Sequence, residues 1–410
     1  MTSQERREAR YQRRCEKRQA KRNKKIKNSD NYESVFSFKN LYESYKSCRS
    51  GVSWKRSVQT YITMAPVNVY KSRQKLLNNT YKTPKYVEFD LFERGVARHI
   101  MSMRFGDRVV NRCFSHYALV PVITRSFIDA NCASRVGKGY DYAINKMTKD
   151  LQWHYRRYGN KGYILLFDFK KFFENVSHAV IKADLNRKFD DERLINFGEK
   201  SIDSFGLKGL GLGNQDSQIW ALDSANRLDH YIKEVLRVKC YCRYMDDGYL
   251  IHPSKEFLTK CLDAIKAICQ ILGITLNQKK TQIVKLSHGF RWLKVRYYLT
   301  ETGKVVRKIY KRSLTRMRRK LKALHRKYIE GIATFSQITT SFQCWLAYAT
   351  KFHSYHTRNT LISLFDDLFT EEMRYRKWNI LKSSVKLVTL SQPRLLRTPS
   401  IFAAMKAVTP

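Results

Sequence analysis

The chain has 410 residues, 43% of them hydrophobic, and its 79 Lys and Arg residues against 35 Asp and Glu residues give a formal net charge of +44. This charge attracts polyanions, so the composition favours a phosphate backbone as the partner over a surface that is basic only for solubility. The sequence shows no apolar run of membrane-spanning length, no signal peptide and no lipid anchor, which argues against a membrane partner and predicts a cytoplasmic protein. The nine cysteines have no repeated CxxC spacing, which argues against a disulfide framework and a zinc site.

The N-terminal part of the chain changes character twice. Residues 1–30 are strongly basic and nearly free of apolar residues, so they cannot bury a core by themselves. They are predicted to form a helix on RNA or a disordered arm, with an inert spacer as the alternative. Apolar spacings of three and four residues predict helices over 35–80, and alternation on both sides of 93–95 predicts a β-hairpin over 81–104.

The rest of the chain alternates between the two kinds of pattern. Helical spacing predicts further helices, at 107–120, 141–158, 216–236, 255–272 and from 308 onward. Apolar runs predict strands, at 163–169, at 239–252 as two strands around a tight turn, at 275–284 and at 289–299. No internal repeat or long linker interrupts this order, so one continuous assembly is expected.

Three carboxylates fall at the ends of predicted strands. Asp246 and Asp247 are adjacent at the turn between two apolar strands, where carboxylates are costly unless cations neutralise them. Asp168 lies near the end of the apolar strand at 163–169. Three carboxylates on two adjacent strands are the oxygen ligands that two Mg²⁺ ions need, with Mn²⁺ as the alternative. Two such ions stabilise both oxygens of an in-line phosphoryl transfer.

These carboxylates belong to a series of motifs that resembles the palm of reverse transcriptases. The matching segments follow the family's order, with FDFKKFF (167–173) for motif A, GLGLGNQDSQIWA (209–221) for motif B, YMDD (244–247) for motif C, LNQKKT (276–281) for motif D and FRWLK (290–294) for motif E. Upstream, residues 98–110 and 126–143 resemble the fingers motifs, so the resemblance covers residues 35–350.

The resemblance implies an α+β fold, the right-hand polymerase with fingers, a palm built on an antiparallel sheet, and a helical thumb. The expected subdomains are a basic N-terminal extension at 1–34, fingers with the palm entry at 35–160, the palm with motifs A to E at 161–300, the thumb at 301–380 and a C-terminal tail at 381–410. Gly211, Leu212 and Lys294 depart from the retroviral motifs and indicate a short prokaryotic enzyme, closest to the diversity-generating and defence-associated reverse transcriptases.

The resemblance also implies a role for each matching residue. The catalytic set is Asp168, Asp246, Asp247 and Lys280, and the metal set is Asp168, Phe169, Asp246 and Asp247. The nucleotide-binding set is Arg98, Phe173, Gly213, Asn214 and Ser217, and the primer grip is Trp292, Leu293 and Lys294. Lys280 would protonate the leaving pyrophosphate, and the ring of Phe173 would exclude a ribose 2′-OH. The alternatives are a core role for Phe173, beside Phe172, and ordinary surface roles for Arg98 and Lys280.

The expected function is RNA-directed DNA synthesis, in which dNTPs extend a primer on a cognate structured non-coding RNA, with antiphage defence as the biological role. A diversity-generating retroelement enzyme is the nearest alternative. An RNA-dependent RNA polymerase shares the palm carboxylates, but Phe173 and the Tyr-Met pair before Asp246 argue against it. A non-catalytic RNA-binding scaffold would keep Asp168, Asp246 and Asp247 as buried acids without metals, which is costly.

Overall fold

The computed structural model describes residues 2–82, 86–93 and 95–370. The described chain forms two compact units. The first unit consists of the described residues up to Leu293 together with Tyr298–Val305. The second unit consists of Lys294–Tyr297 and the described residues from Val306 onward. The predicted tail at 381–410 and the last ten residues of the predicted thumb lie outside the described residues.

Helices dominate the first part of the first unit, as predicted. They are α1 (Ser3–Ile26), α2 (Tyr32–Val35), α3 (Phe38–Arg49), α4 (Arg56–Ile62), α5 (Ala65–Leu77), α6 (Phe105–Phe114), α7 (Val120–Ile123) and α8 (Tyr140–Tyr158). A capping box fixes the start of α1, because the Thr2 side chain accepts from the Glu5 main chain and the Glu5 side chain accepts from the Thr2 main chain. The basic N-terminal segment therefore forms a helix, and among its described side chains Ile26, at the end of the helix, enters the core.

The predicted hairpin is present between α5 and α6. Its strands, β1 (Val87–Glu93) and β2 (Val96–Ser102), pair antiparallel, with Glu93 opposite Val96. All residues of β1 are exposed, so the hairpin projects from the core of its unit.

A four-stranded antiparallel sheet forms the centre of the first unit. Its strands are β3 (Tyr163–Asp168), β4 (Cys240–Tyr244), β5 (Asp247–His252) and β6 (Gln282–Lys285), in the order β4-β5-β3-β6. The apolar run of β3 is buried from Ile164 onward, as expected for an inner strand. The register places Asp168 directly opposite Asp247, so the two strands that carry the predicted catalytic residues bring them to the same end of the sheet.

Helices flank this sheet and close its core. They are α9 (Phe172–Asn175), α10 (His178–Lys188), α11 (Glu192–Asp203), α12 (Gln215–Ser224), α13 (Asn226–His230) and α14 (Lys255–Ile271). The helix α14 shows how apolar spacing predicts a helix. Its buried residues, Leu258, Cys261, Ile265 and Cys269, recur at three- and four-residue spacings and form one apolar face.

Two predicted strands differ from the structure. The segment at 275–284 becomes a strand only at Gln282, because the preceding residues turn back toward Asp168. The segment at 289–299 is two strands, β7 (Phe290–Trp292) and β8 (Val295–Leu299), which form a sheet with β9 (Val305–Ile309). Leu293 and Lys294 have φ of 46° and 63°, a left-handed turn that apolar content alone did not reveal.

The second unit is helical, as predicted from residue 308 onward. It contains α15 (Lys311–Ile329), α16 (Phe335–Thr350) and α17 (Tyr355–Leu368). Their apolar faces pack together, with Leu321, Phe342 and Phe365 fully buried. Among the described residues, no helix is both long and apolar enough to span a membrane.

Candidate active site

Asp168 is the last residue of the inner strand β3 and lies at one end of the sheet. The residue is almost fully buried, at 4% exposure, at the end of an apolar strand. The neighbouring hairpin β4–β5 turns through Met245 and Asp246, and Met245 adopts a left-handed φ of 55°. The Asp246 carbonyl accepts a hydrogen bond from the Phe169 main chain at 3.1 Å. The two chain segments that carry the predicted metal ligands are therefore tied together through their main chains.

A buried arginine supports this turn, and the sequence pattern alone did not single it out. Arg243 is fully buried and forms an ion pair with Asp229 at 2.6 Å. Its guanidinium also donates to the Met245 carbonyl at 2.9 Å, next to Asp246. The available signal was a charged residue in the otherwise apolar strand CYCRY, because such a residue needs a partner when buried.

Motif D supplies the partners of the Asp168 carboxylate. The Lys280 ammonium donates to Asp168 Oδ1 at 2.8 Å, and the Asn277 amide donates to Oδ2 at 3.0 Å. The Asn277 main chain also donates to the Asp168 carbonyl at 2.7 Å. The sequence pattern placed Lys280 in the catalytic set and missed Asn277, although it lies within the motif D segment at 276–281. Both residues hold the carboxylate in one orientation.

Neighbouring carboxylates shift the pKa values of Asp246 and Lys280. Burial, and then the charge of Asp168, raise the pKa of Asp246 above its ordinary value. Against the opposing effect of burial, the hydrogen bond from Lys280 to Asp168 and the charges of Asp168, Asp247 and Asp246 raise the pKa of Lys280. The charges of all three carboxylates therefore act on Lys280, in agreement with the prediction that they lie on two adjacent strands.

The donor set fits a divalent cation in its chemistry. Ionised carboxylates are the hard oxygen ligands that Mg²⁺ and Mn²⁺ prefer. The raised pKa of Asp246 comes first from burial and then from the charge of Asp168, and a bound cation would oppose both effects. A carboxylate has about four lone-pair sites, so Asp168 can accept from Lys280 and Asn277 and still bind a cation. Within the described part of the chain, no group of three or more His, Cys, Asp or Glu side chains is arranged to hold a metal ion.

The glycine-rich motif B segment packs against the hairpin strand β2. The Met101 main chain donates to the Leu212 carbonyl at 3.0 Å, and the Asn214 amide donates to the Met101 carbonyl at 3.2 Å. Gly213 has a φ of 113°, and a Cβ there would lie 3.3 Å from Ile100 Cγ2, so the turn favours glycine. The predicted nucleotide residues Gly213 and Asn214 thus border the strand that also carries Arg98.

Arg98 lies on the exposed hairpin. Its side chain is 53% exposed, and its guanidinium is 3.8 Å from the Glu93 carboxylate. This position leaves the guanidinium accessible to a phosphate, as the predicted role requires, and it is equally compatible with the alternative of an ordinary surface base.

The two adjacent phenylalanines of motif A are separated by the fold. Phe172 is buried in the core, with its ring 5.0 Å from that of Phe169. Phe173 is only partly buried, and its carbonyl accepts from Leu210 of the glycine-rich segment at 2.7 Å. Of the two rings, Phe173 is therefore the one with an accessible surface beside motif B.

Two residues of the predicted sites are buried. Ser217 is 1% exposed inside α12, where the helix packs into the core. Trp292 is 3% exposed and stacks edge-on against Tyr249 at 4.8 Å, so its ring is a core element. The exposed part of the predicted primer grip is the left-handed turn at Leu293 and Lys294, and Tyr140 donates to the Leu293 carbonyl at 3.0 Å.

The family comparison agrees with this site. Residues 95–297 match the family model described as reverse transcriptase (RNA-dependent DNA polymerase). The chain carries a reverse transcriptase domain. The match spans β2 to β8 and so contains Asp168, Asp246, Asp247 and Lys280. It confirms the predicted enzyme class at the level of the domain, and with the mixture of helices and antiparallel sheets it confirms the α+β right-hand polymerase fold. Reverse transcriptase domains generally use divalent metal ions.

Solved structures similar to this chain include three structures of telomerase from two Candida species. Telomerase from Candida albicans with a fragment of telomeric RNA is 13% identical, with a TM-score of 0.44, over 76% of this chain and 65% of that one. Apo telomerase from Candida tropicalis is 14% identical, with a TM-score of 0.42, over 55% of this chain and 48% of that one. Its form truncated from the C-terminal domain is 12% identical, with a TM-score of 0.42, over 54% and 55%. No curated protein matches the sequence.

Proposed function

We propose that this chain is an RNA-directed DNA polymerase that extends a primer with dNTPs on an RNA template. The observation that carries the proposal is the convergence of Asp168, Asp246 and Asp247 around Lys280, inside a segment that matches the reverse transcriptase family. Asp246 is a buried carboxylate whose pKa is raised by burial and by the charge of Asp168, and such a group is destabilising unless a cation neutralises it, so this arrangement favours a functional site.

Asp168 and Asp246 would hold two divalent ions, with Asp247 and the Phe169 main chain beside them. We propose Mg²⁺ as the metal, with Mn²⁺ as a substitute, because both prefer carboxylate oxygens. When bound, such ions stabilise the attacking and leaving oxygens of an in-line displacement. Asn277 orients the Asp168 carboxylate, and Lys280 holds a proton at its ammonium within the site, where it would protonate the leaving pyrophosphate.

The incoming nucleotide would bind between motif B and the hairpin. Gly213 and Asn214 form the turn against β2, and Arg98 on the same strand offers an exposed guanidinium for the triphosphate. The partly buried ring of Phe173 would press on C2 of the sugar and reject a 2′-OH. The left-handed turn at Leu293 and Lys294 would contact the primer through its main chain. The predicted subdomain bounds remain part of this proposal.

We further propose a cognate structured non-coding RNA as the template and antiphage defence as the role, within the short prokaryotic reverse transcriptases. The net charge of +44 and the glycine-rich motif B at 209–213 support this proposal. Sequencing of the RNA that co-purifies with the chain should return one abundant structured species. In a host that carries the locus, Asp246→Asn should abolish protection against phage. Protection by this variant would remove DNA synthesis from the defence role.

The central experiment measures incorporation of labelled dNTPs by the purified protein with its co-purified RNA and Mg²⁺. The wild type should make DNA, and Asp246→Asn, which keeps the size of the side chain, should make none. Single omission of each dNTP shows whether an RNA sequence is copied. If both proteins are inactive with a poly(rA)–oligo(dT) template as well, the scaffold alternative replaces the polymerase.

An RNA-dependent RNA polymerase is the second candidate, because it would use the same carboxylates. A reaction supplied with ribonucleotides alone distinguishes the two polymerase activities. RNA product from the wild type would favour this alternative, whereas DNA product alone favours the reverse transcriptase.

A further inference from the structure

A basic cavity of about 590 Å³ lies in the first unit, and none of its described lining residues belongs to the predicted catalytic, nucleotide or primer sites. Five side chains that line it are basic: Arg125, Arg187, Lys188, Arg227 and His230. Val122 is the only apolar side chain among the described lining residues, and no carboxylate is among them. A concave surface with this composition is suited to an anion.

Two arginines from different helices share one carboxylate at this cavity. Arg187 in the last turn of α10 and Arg227 in α13 each donate to Asp184 Oδ1 at 2.9 Å. Asp184 is almost fully buried, whereas the arginine side chains are 58% and 48% exposed. One carboxylate offsets one of the two positive charges. Each guanidinium has five N–H donors and uses one in these contacts, so the pair keeps both charge and donors for a ligand.

The other bases define the floor and wall of the cavity. Lys188 is buried against the buried carboxylate of Asp223, so this pair forms a floor of low net charge. His230 Nδ1 lies 2.6 Å from Glu234 and its Nε2 lies 2.7 Å from the Ser126 carbonyl. Burial opposes protonation of this ring, but the contacts with the Ser126 carbonyl and Glu234 raise the pKa of His230, and the Glu234 carboxylate offsets the charge of the protonated ring. The positive charge of the cavity wall that no neighbouring carboxylate offsets therefore comes from the arginines.

The lining also indicates which part of a nucleic acid would bind. A second cavity, of about 310 Å³, has the aromatic side chains Tyr32, Tyr81 and Phe197 on which a base could stack. The basic cavity has arginine forks and a single valine. Arginine forks match the geometry of phosphate oxygens, and contacts to phosphate position a nucleic acid without reading its sequence.

We propose that the basic cavity binds a backbone phosphate of RNA through Arg187 and Arg227, at a place separate from the catalytic carboxylates. The chain's net charge of +44 makes a polyanion the expected occupant, and a phosphate on the arginine pair would offset the charge that Asp184 leaves. This site would anchor RNA whether or not it is being copied. It depends on the proposed function only in taking RNA as the natural partner.

The test uses the full chain with both arginines changed, Arg187→Gln and Arg227→Gln. Glutamine keeps an amide donor for Asp184 and removes the charge. Binding of a fluorescein-labelled RNA hairpin with a single-stranded tail is measured by anisotropy over a range of NaCl concentrations. Affinity should fall about tenfold, the loss expected for charge-assisted contacts to one phosphate, and the slope of log K against log[salt] should become shallower by about 0.7–0.9.

The matched control carries the same change of charge elsewhere in the first unit. Lys149→Gln with Arg156→Gln alters two exposed bases of α8. A loss of affinity no greater in the Arg187/Arg227 variant than in this control overturns the proposal. Calorimetry with dTTP on RNA-free protein separates the sources of phosphate. Weaker dTTP binding with unchanged RNA affinity also overturns it, because a nucleotide would then be the occupant.

A variant that keeps Asp184 paired covers the case in which the double variant does not fold. Arg227→Gln alone leaves Arg187 on the Asp184 carboxylate. It should lower RNA affinity in the same direction by a smaller factor, with an unchanged melting temperature. RNA affinity equal to the wild type in this folded variant contradicts the proposal. Since none of these measurements requires DNA synthesis, an inactive polymerase would not affect their outcome.

Discussion

Lys280 and Asp168 are joined by a hydrogen-bonded ion pair of 2.8 Å that links motif D to motif A. The lysine side chain is 63% exposed and the aspartate side chain 5%, so the carboxylate is fixed and the ammonium lies at its open side. The pair places an acid beside the carboxylates that would hold the metals.

Lys280→Gln and Lys280→Arg should separate proton donation from charge. If Lys280 is the acid for the leaving pyrophosphate, both variants should lower kcat by about 10²-fold, because neither side chain donates a proton readily. Single-turnover dNTP incorporation measures the effect, and RNA affinity should be unchanged. Recovery of the wild-type rate by Lys280→Arg would assign the lysine a purely electrostatic role.

Mg²⁺ should stabilise the protein through the Asp168–Asp246 site. Metal binding offsets the repulsion and burial that raise the pKa of Asp246, and a ligand that binds the folded state alone raises its stability. Thermal unfolding should show a rise of roughly 2 °C for each kcal/mol of binding free energy. Removal of the metal with EDTA should reverse the rise. An equal rise in Asp246→Asn would place the stabilising ion elsewhere.

Phe173→Ala should allow ribonucleotide incorporation, because it removes the ring that lies partly exposed beside motif B. Competition between each dNTP and its ribonucleotide measures the selectivity. The matched control is Phe172→Ala, whose ring is in the core. The control should cost about 3–5 kcal/mol of stability and leave sugar selectivity unchanged in the folded fraction. Unchanged selectivity in Phe173→Ala would remove Phe173 from the gate.

Gly248→Ala should destabilise the palm sheet. A Cβ at Gly248 would lie 2.2 Å from Cζ of Phe167, its partner across the β3–β5 pairing, so the ring or the strand must move. Overpacking of this kind costs about 1–3 kcal/mol, measured by chemical denaturation. Phe167→Leu removes the distal ring atoms, so the double variant should be destabilised by less than the sum of the two singles. Simple additivity would show that the close approach is relieved elsewhere.

Neutralisation of the N-terminal helix α1 should weaken RNA binding. Changing Arg7, Arg10, Arg13, Arg14 and Lys17 to Gln should flatten the salt dependence by about 0.7–0.9 for each phosphate that the helix no longer neutralises. Substitution is preferable to deletion of residues 1–30, because Asp30 accepts from the Asp190 and Asp191 main chains and Ile26 is buried. Exchange of the four arginines for lysines keeps the charge and should change little. Unchanged binding after neutralisation would make α1 a spacer.

Much of the catalytic site was predictable because its signals are local. An apolar run that ends in Asp168 predicts the end of a strand, and a tight turn with Asp246 and Asp247 between apolar runs predicts a second strand end. Neither prediction depends on how the strands pack in the fold. The helical spacing of α14 and of the second unit is equally local. The match over residues 95–297 confirms the enzyme class that these motifs predicted.

The tertiary structure decided which side chains face each other. Sequence could not tell Phe172 from Phe173, because both are apolar and only the packing of α9 buries one of them. Long-range contacts also bury Ser217 and the Trp292 ring, which the motifs by themselves do not indicate. Asn277 and Arg243 acquire their roles from partners 109 and 14 residues away. Periodicity determines which residues can form a strand or helix, but burial and hydrogen bonding depend on neighbours that are distant in sequence.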